Sequence, residues 1–462
     1  MEKTSKIISF AFLSFSTLIF LYVLYRSEIK YSGTLSDYYF KYYVISFVLI
    51  VLSVISFFIE KNLKIKISMI FFSIILSFYL IEVYLTMIQP KIMSKDLKYK
   101  VKEYEKETGR KYDLRTARQY YKNFKKKNPN VVMRTFPIHL KYRTDIPIVP
   151  LSGISKRETI LCNENGYYST YLSDRYGFNN PDNEWDKKEI DFFIVGDSFA
   201  QGDCVNEPEN IGGNLRRMSG GKEGVLNLGL AGNGPLAEYA TLREYFFIKK
   251  PKRVLFMYYE GNDLEDFSGE LRSSILLNYL KDEKFFQNLQ SKQHTVDQML
   301  LKQEQKMYPN LGRFIKLYSF RAFVVRRLFS NTSNNKSFVI PQEHDRIPFD
   351  IPSEFEKTIE LSKKFSEVNG ASFYFVYLPT YSRYLGNNNK PYLNYSKVIQ
   401  ILENLNIQII DVNVELFEKQ NDPLSLFPFK KHGHYNELGY KLIAETIFKK
   451  IREYENIQWK YY

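Results

Sequence analysis

Ser198 lies in the stretch GDSFAQG (196–202), directly after the apolar run Ile190–Val195. A serine on a tight turn between a buried strand and a helix presents its hydroxyl at the carboxyl end of that strand, where ligands bind in open α/β sheets. The first backbone N–H groups of the following helix can stabilise an oxyanion at the same place. These residue types make Ser198 a candidate nucleophile, although a GDS triplet by itself is common and weak evidence.

Acyl transfer to a serine also needs a base for its proton and further donors for the oxyanion. Three other stretches, each beside a strand or helix pattern, supply candidates: NLGLAG (227–232), EGND (260–263) and HYNELGY (434–440). In order and spacing the four stretches resemble the blocks of the SGNH (GDSL-like) hydrolase superfamily, in its membrane-anchored type associated with envelope polysaccharides. The resemblance covers about residues 190–455.

The resemblance implies a role for one residue of each stretch. Ser198 would attack the ester and provide one oxyanion donor through its own N–H. Gly232 would add a backbone N–H, and Asn262 a side-chain N–H. His434 would be the general base, and no cofactor is implied.

The sequence departs from the family pattern at the acid of the triad. The family usually has an acidic residue three positions before the base, but Lys431 stands there, and His432 stands at the alternative spacing. Asp422 is the nearest upstream candidate for the acid, although Asp-Pro is also an ordinary turn opener. We therefore predict a Ser198–His434 dyad, with a backbone carbonyl or water beside Nδ1.

A second departure is Glu260, which stands where the family commonly has glycine. We predict that Glu260 binds substrate or shapes a polar pocket; the alternative is a solvated residue at a strand end. Both departures leave open a third kind of protein, an SGNH-fold binding or assembly module without turnover.

Three apolar runs near the N-terminus, 7–25, 42–59 and 67–88, are each close to the ~20 residues that cross a bilayer. The lysines before the first run and in the loop 60–66 predict a cytoplasmic N-terminus. We therefore expect a multi-pass inner-membrane protein whose residues after about 90 are periplasmic. Glu82 in the third run is either functional or reaches the interface, and is left out of the predicted site.

Charge and cysteines limit the partners and the compartment. The net charge is +14, and residues 91–127 hold 14 Lys/Arg against five Asp/Glu. This basic segment predicts contact with anionic lipid head groups or a solvated connector; no nucleic-acid recognition motif accompanies it.

Cys162 and Cys204 lack metal-ligand spacing, so no metal is predicted. Because the predicted compartment is oxidising, we predict that they form a disulfide; two free thiols are the alternative.

Strand-like and helix-like patterns alternate along the second half of the chain. Strands are expected at 190–196, 224–229, 253–259, 372–378 and 406–411, and helices at 206–219, 235–250, 353–369, 394–405 and 437–455. This alternation predicts a mostly parallel five-stranded sheet with helices on both faces, an SGNH/flavodoxin-like α/β/α fold.

Three regions follow from these patterns. They are a transmembrane anchor (1–90), a basic connector with an irregular lead-in (91–189), and a catalytic domain (190–462) with a helical insertion at 264–350 that ends in the polar linker 331–350.

The predicted function is an esterase or O-acyltransferase acting on a cell-envelope or exported glycan through an acyl-Ser198 intermediate. Three spans are few for carrying an acyl donor across a membrane, so a transferase would need an acyl-exporting partner. A lipid esterase and the binding module mentioned above are the alternatives.

Overall fold

The structure is a computed structural model that describes residues 2–30, 33, 36–87, 95–140, 146–221, 224–307, 311–329, 351–385 and 394–459. It divides into two compact units. The membrane unit comprises 1–93, 142–147 and 309–338. The second unit, called the catalytic unit after the role predicted for it, comprises 94–141, 148–308 and 339–462.

The strands and helices predicted in the second half of the chain are present, with bounds that agree to within about five residues, together with short elements that the sequence did not predict. The α-helices are α1 Glu2–Leu24, α2 Ser36–Ile55, α3 Lys61–Met87, α4 Lys95–Thr108, α5 Ala117–Lys127, α6 Ser198–Gln201, α7 Ile211–Met218, α8 Pro235–Tyr245, α9 Asp263–Glu270, α10 Ser274–Lys281, α11 Gln293–Met307, α12 Leu311–Ile315, α13 Tyr318–Phe329, α14 Ser353–Val368, α15 Tyr395–Asn404, α16 Val412–Glu415 and α17 Glu437–Trp459. The strands are β1 Val132–Met133, β2 Glu158–Ile160, β3 Thr170–Leu172, β4 Ile190–Val195, β5 Val225–Asn227, β6 Pro251–Tyr259, β7 Ser372–Leu378 and β8 Gln408–Asp411.

The membrane unit is built on α1, α2 and α3, which are long and apolar enough to cross a membrane. The 27 residues of α3 extend about 40 Å at 1.5 Å per residue. Hydroxyls join the helices where they pack: Ser16 Oγ lies 3.2 Å from Ser53 Oγ, and Lys64 Nζ donates to Ser9 Oγ at 3.0 Å. Such small polar residues let transmembrane helices approach and bond. The three predicted spans are confirmed.

The catalytic unit is built on a parallel sheet with the strand order β5-β4-β6-β7-β8. This is the flavodoxin-like order, in which the chain starts inside the sheet and grows to both sides. The five strands are the predicted ones, and the predicted fold class is confirmed.

Alternate residues of β4 point to opposite faces of the sheet and bury themselves in two cores. Phe193 and Val195 join the core that contains side chains of α8, α14 and α15. Phe192 and Ile194 join the core that contains side chains of α7 and α17. Because both faces are covered, the strands read as continuous apolar runs rather than as alternating patterns.

The lead-in before the sheet is more regular than expected. It contains a second small sheet, in which β2 pairs parallel with β1 and antiparallel with β3. These strands are two or three residues long, too short to leave a periodic pattern in the sequence. Residues 94–141, which include α4 and α5, belong to the same compact unit as the main sheet.

The stretch 176–181 (YGFNNP) is held by one buried carboxylate, that of Asp174. It accepts hydrogen bonds from the backbone N–H groups of Tyr176 and Phe178, from Asn180 Nδ2 and from Trp185 Nε1. Burial raises the pKa of Asp174 to about 6, against the effect of these donors. Asn180 in turn bonds to the N–H and C=O of Asn227 at the end of β5. The lead-in is therefore bonded directly to the edge of the sheet.

The predicted insertion is helical over its described part, α9 to α13. It contributes to both units, since 309–338 belongs to the membrane unit and the rest to the catalytic unit. The predicted linker 331–350 lies outside the described residues.

Candidate active site

Ser198 is the first residue of α6, at the carboxyl end of β4. Asp197 caps this short helix by accepting the Phe199 N–H at 2.8 Å. A Cβ at Gly196 would lie 2.5 Å from Ala200 Cβ, so the turn needs glycine there. Ser198 Oγ lies 2.9 Å from His434 Nε2, within hydrogen-bonding distance. The structure thus brings together the predicted nucleophile and the predicted base.

The other nitrogen of His434 faces a carboxylate. Nδ1 lies 3.2 Å and 3.3 Å from the two oxygens of Glu164, and the backbone N–H of His434 donates to Glu164 Oε2 at 2.7 Å. A Cβ at Gly433 would lie 2.6 Å from that oxygen, so glycine allows the carboxylate its close approach. Ser198, His434 and Glu164 therefore have the arrangement of a catalytic triad, and the predicted dyad with a carbonyl or water at Nδ1 is wrong.

Asp422, the predicted candidate for the acid, lies elsewhere. Its carboxylate pairs with Lys430 Nζ at 2.7 Å, and both side chains are exposed to solvent. The turn-opening alternative explains Asp422: Ser425 donates its N–H and its Oγ–H to the Asp422 carbonyl. The carboxylate that faces His434 Nδ1 is that of Glu164 in the lead-in, 270 positions before His434 in the sequence.

Cys162 and Cys204 form a disulfide, with a Cα–Cα distance of 4.9 Å. The bond joins two segments that contact His434, because Glu164 follows Cys162 by two residues and Asp203 precedes Cys204. Cys204 Sγ itself lies 3.9 Å from His434 Nδ1. Of the two alternatives for the cysteines, the structure contains the disulfide.

Glu164, Cys204 and His434 also lie close enough together to share a metal ion. The sulfur of Cys204 is already bonded to Cys162, and His434 Nε2 lies against Ser198. Metal binding by a cysteine uses its thiolate, so this donor set does not fit a metal.

Asp203 and Arg134 are two further charged residues beside the base. Asp203 is fully buried, and its Oδ2 lies 3.6 Å from His434 Nε2 while it pairs with Arg134. Sequence reasoning missed both of them, as it missed Glu164. The available signal was that an acidic residue stands close to each cysteine, in CNE (162–164) and GDC (202–204), and one of these cysteines is six positions from Ser198.

The charges around His434 set its pKa. Burial lowers that pKa, but Glu164, through its charge and hydrogen bonding, and Asp203, through its charge, outweigh burial and raise it to about 9. For Glu164, burial raises the pKa, but the histidine outweighs burial and holds it at about 2. His434 keeps 19% of its side-chain surface exposed and Glu164 keeps 27%, so a substrate can reach the pair.

The other oxyanion candidates lie at the same edge of the sheet. Leu230, two residues before Gly232, donates its N–H to the carbonyl of Gly196 at 3.0 Å. Gly232 has φ +84°, a conformation that side chains rarely allow, and Ile138 and Phe136 border it. The Asn262 amide donates to Asp266 Oδ2 at 2.7 Å and lies near enough to Asp197 to stabilise that carboxylate.

Glu260 is buried and its oxygens are occupied. It forms an ion pair with Arg383 through both carboxylate oxygens, and it accepts hydrogen bonds from Tyr377 Oη at 2.7 Å and Thr380 N at 2.8 Å. Burial contradicts the solvated alternative for Glu260. That Glu260 binds substrate or shapes a polar pocket stays a prediction. Glu260 ties the end of β6 to the chain after β7.

No family model matches the chain, and no curated protein matches it. Among solved structures, a lipolytic protein of the G-D-S-L family from Desulfitobacterium hafniense DCB-2 matches at 15% identity, over 57% of this chain and 99% of that one, with a TM-score of 0.31.

A psychrotrophic esterase EstA from Pseudoalteromonas sp. matches at 12% identity, over 58% and 100% of the two chains, with a TM-score of 0.29. An acetyl xylan esterase, AlAXEase, matches at 11% identity, over 56% and 98%, with a TM-score of 0.30. Scores this low leave the chain's own topology and site geometry as the basis for any conclusion on function.

Proposed function

We propose that this protein is a membrane-anchored serine esterase or O-acyltransferase of the SGNH type that works through an acyl-Ser198 intermediate. The observation that carries the proposal is the alignment of Ser198 Oγ, the two ring nitrogens of His434 and the Glu164 carboxylate. Nucleophile, base and orienting acid in hydrogen-bonding sequence are the signature of an activated serine.

In the first half-reaction, Ser198 Oγ attacks the carbonyl carbon of an ester while His434 Nε2 takes the hydroxyl proton. Glu164 keeps the Nδ1 proton in place and stabilises the imidazolium, as does the charge of Asp203. The N–H groups of Ser198 and Gly232 are the proposed donors to the tetrahedral oxyanion. The Asn262 amide becomes a third donor only by leaving its carboxylate partners Asp266 and Asp197. His434 then returns the proton to the departing alcohol, and the acyl group stays on Ser198.

In the second half-reaction, water or a sugar hydroxyl gives its proton to His434 and attacks the carbonyl carbon of the acyl-serine. The bond between that carbon and Ser198 Oγ then breaks, and His434 returns the proton to Oγ. Water completes an esterase cycle, and a sugar hydroxyl completes a transferase cycle. The proposed substrate is an acylated, most simply acetylated, glycan of the cell envelope. The membrane anchor and the expected periplasmic side support this choice, and a transferase would receive its acyl group from a separate exporting partner.

A fluorophosphonate probe tests the nucleophile on the full-length protein in membranes. We expect the wild type to be labelled and Ser198→Ala to lose the label. The control Ser291→Ala, which changes an exposed serine of the same unit, should keep it. A wild type that is folded but unlabelled contradicts the proposal and supports a binding module instead.

Substrate class is tested with three substrates: an acetylated oligosaccharide in water, an acetyl ester with an unmodified oligosaccharide as acceptor, and phospholipid. Release of acetate in water indicates an esterase, and acetylation of the oligosaccharide indicates a transferase. Turnover of phospholipid but of neither glycan substrate would contradict the glycan assignment and identify a lipid esterase.

A further inference from the structure

Glu82 is a carboxylate within the third membrane span, and its side chain is only 2% exposed. Its two oxygens accept hydrogen bonds from the backbone N–H groups of Ser319, at 3.0 Å, and Phe320, at 2.6 Å. These donors belong to the first turn of α13, where backbone N–H groups have no partner within the helix and the helix dipole favours negative charge. A carboxylate in an apolar span is costly unless it finds such partners. Glu82 therefore binds α13 to α3.

Aromatic contacts extend this attachment along α3. Phe78 stacks on Phe320 with ring centroids 4.8 Å apart. One residue further along, Tyr79 packs against Phe314 at 5.5 Å and donates its hydroxyl to the carbonyl of Ile315 at 2.9 Å. All these residues belong to the membrane unit. The segment 311–329, which contains α12 and α13, is thus seated on a helix whose other surface is suited to lipid.

The composition of this segment matches a lipid interface. Residues 311–329 (LGRFIKLYSFRAFVVRRLF) contain five Lys/Arg and no Asp/Glu. Large apolar side chains remain exposed beside the cations: Ile315 is 56% exposed and Phe323 41%. Basic side chains next to a membrane span are attracted to anionic head groups, and exposed apolar side chains among them favour contact with the acyl chains.

We propose that the segment 311–329 is a membrane-interface element, fixed to α3 by Glu82, whose Lys and Arg side chains bind the head groups of anionic lipids. Charge complementarity selects anionic lipid, because the segment has five positive charges and no negative one. Continuity with the three spans places the segment beside lipid already. The proposal does not depend on the catalytic activity proposed above.

The depth of the segment 311–329 in the bilayer is tested with the substitution Phe323→Trp in the full chain. The native tryptophans are Trp185 and Trp459, outside this segment. In vesicles of phosphatidylcholine and phosphatidylglycerol with brominated acyl chains, Phe323→Trp should add fluorescence that bromine quenches. The matched control is Phe286→Trp in the catalytic unit, where Phe286 is 42% exposed, and its added fluorescence should stay unquenched. Equal quenching for both variants would overturn the proposal.

Head-group selectivity is tested with Lys316→Gln and Arg321→Gln combined, against Arg272→Gln and Lys284→Gln as the charge-matched control. All four side chains are exposed. The lipid retained by each purified protein is measured after mixing with equal parts of phosphatidylcholine and phosphatidylglycerol. Removing the two interface cations should lower retention of phosphatidylglycerol by about fivefold for each charge. Unchanged retention would contradict lipid as the partner of this segment.

The role of Glu82 is tested with Glu82→Ala in the same assays. Without the carboxylate, the first N–H groups of α13 lose their acceptor, so quenching of Phe323→Trp should change while that of the Phe286→Trp control does not. An identical quenching profile with and without Glu82 would show that it does not seat the segment.

Discussion

At the scale of single residues, the site depends on a carboxylate far away in the sequence. Glu164 holds His434 Nδ1 and the backbone N–H of the same residue. In a serine triad the acid fixes the tautomer in which Nε2 can accept the serine proton, and losing it costs about 10⁴-fold in rate.

We predict that Glu164→Gln lowers kcat/KM for ester hydrolysis by about 10³–10⁴-fold, while Asp422→Asn leaves it unchanged. The amide keeps the shape of the side chain but loses the charge that stabilises the imidazolium. Initial rates on an activated ester measure both variants. A large loss for Asp422→Asn with little loss for Glu164→Gln would contradict the assignment of the acid.

The pKa of His434 predicts an alkaline pH profile. The base must be neutral to accept the proton of Ser198, and neighbouring carboxylates raise its pKa to about 9. Activity should therefore rise with pH through the neutral range and level off only above about pH 9. In Glu164→Gln the rise should move to lower pH, because the negative charge is gone. The pH dependence of kcat/KM for the two proteins checks the shift, and a rise at the same pH in both would contradict it.

The sequence was sufficient to predict that Ser198 and His434 lie together, because each lies in a short motif beside a strand or helix. It was not sufficient for the acid, since Lys431 occupies the expected place and Glu164 reaches the site only through the packing of the lead-in. The partners of Glu260 could not be predicted from the sequence for a related reason. A charged residue at a strand end can reach ligand or solvent, and only the tertiary structure shows that Arg383 covers it.

At the scale of elements, the lead-in and the sheet are joined by the disulfide between Cys162 and Cys204. The bond closes a chain segment with a sequence separation of 42. In the chain-entropy model, a loop of this length stabilises the folded state by about 4 kcal/mol. The bond also lies next to Glu164, so it holds the acid as well as the fold.

We predict that the double variant Cys162→Ala, Cys204→Ala unfolds at a lower temperature and hydrolyses esters more slowly than the wild type. Thermal unfolding and initial rates, measured with and without reductant, provide the check. Glu164→Gln is the comparison, since it should lose activity while keeping most of its stability. A double variant with wild-type activity would show that the disulfide does not position the acid.

Strands of the main sheet were predictable because each is a buried apolar run bounded by helix patterns. The small sheet was not, since β1, β2 and β3 are short and their pairing depends on distant segments. The sequence also did not show that α4 and α5 pack in the same unit as the main sheet. Their basic residues suggested contact with lipid head groups or a solvated connector, but Tyr104 and Tyr121 are buried in the catalytic unit.

At the scale of the whole molecule, the topology of the membrane spans predicts the side of the membrane on which the catalytic unit lies. Three spans with a basic loop between the second and third predict that the catalytic unit is periplasmic. Protease added to spheroplasts should therefore digest the catalytic unit, and protease added to inverted membrane vesicles should leave it intact. The opposite pattern would overturn the predicted topology.

The hydrogen bonds of Asp174 have a consequence for gene fusion and domain exchange. The sequence pattern suggests residue 190, where the first strand of the main sheet begins, as the domain boundary for such a fusion. A fusion joined there would carry Ser198 and His434 but would leave behind Glu164, Cys162 and the carboxylate that fastens the lead-in to β5 through Asn180. Recombination at that boundary therefore yields a serine and a histidine without the carboxylate that faces Nδ1, and a transferable segment has to begin before Cys162.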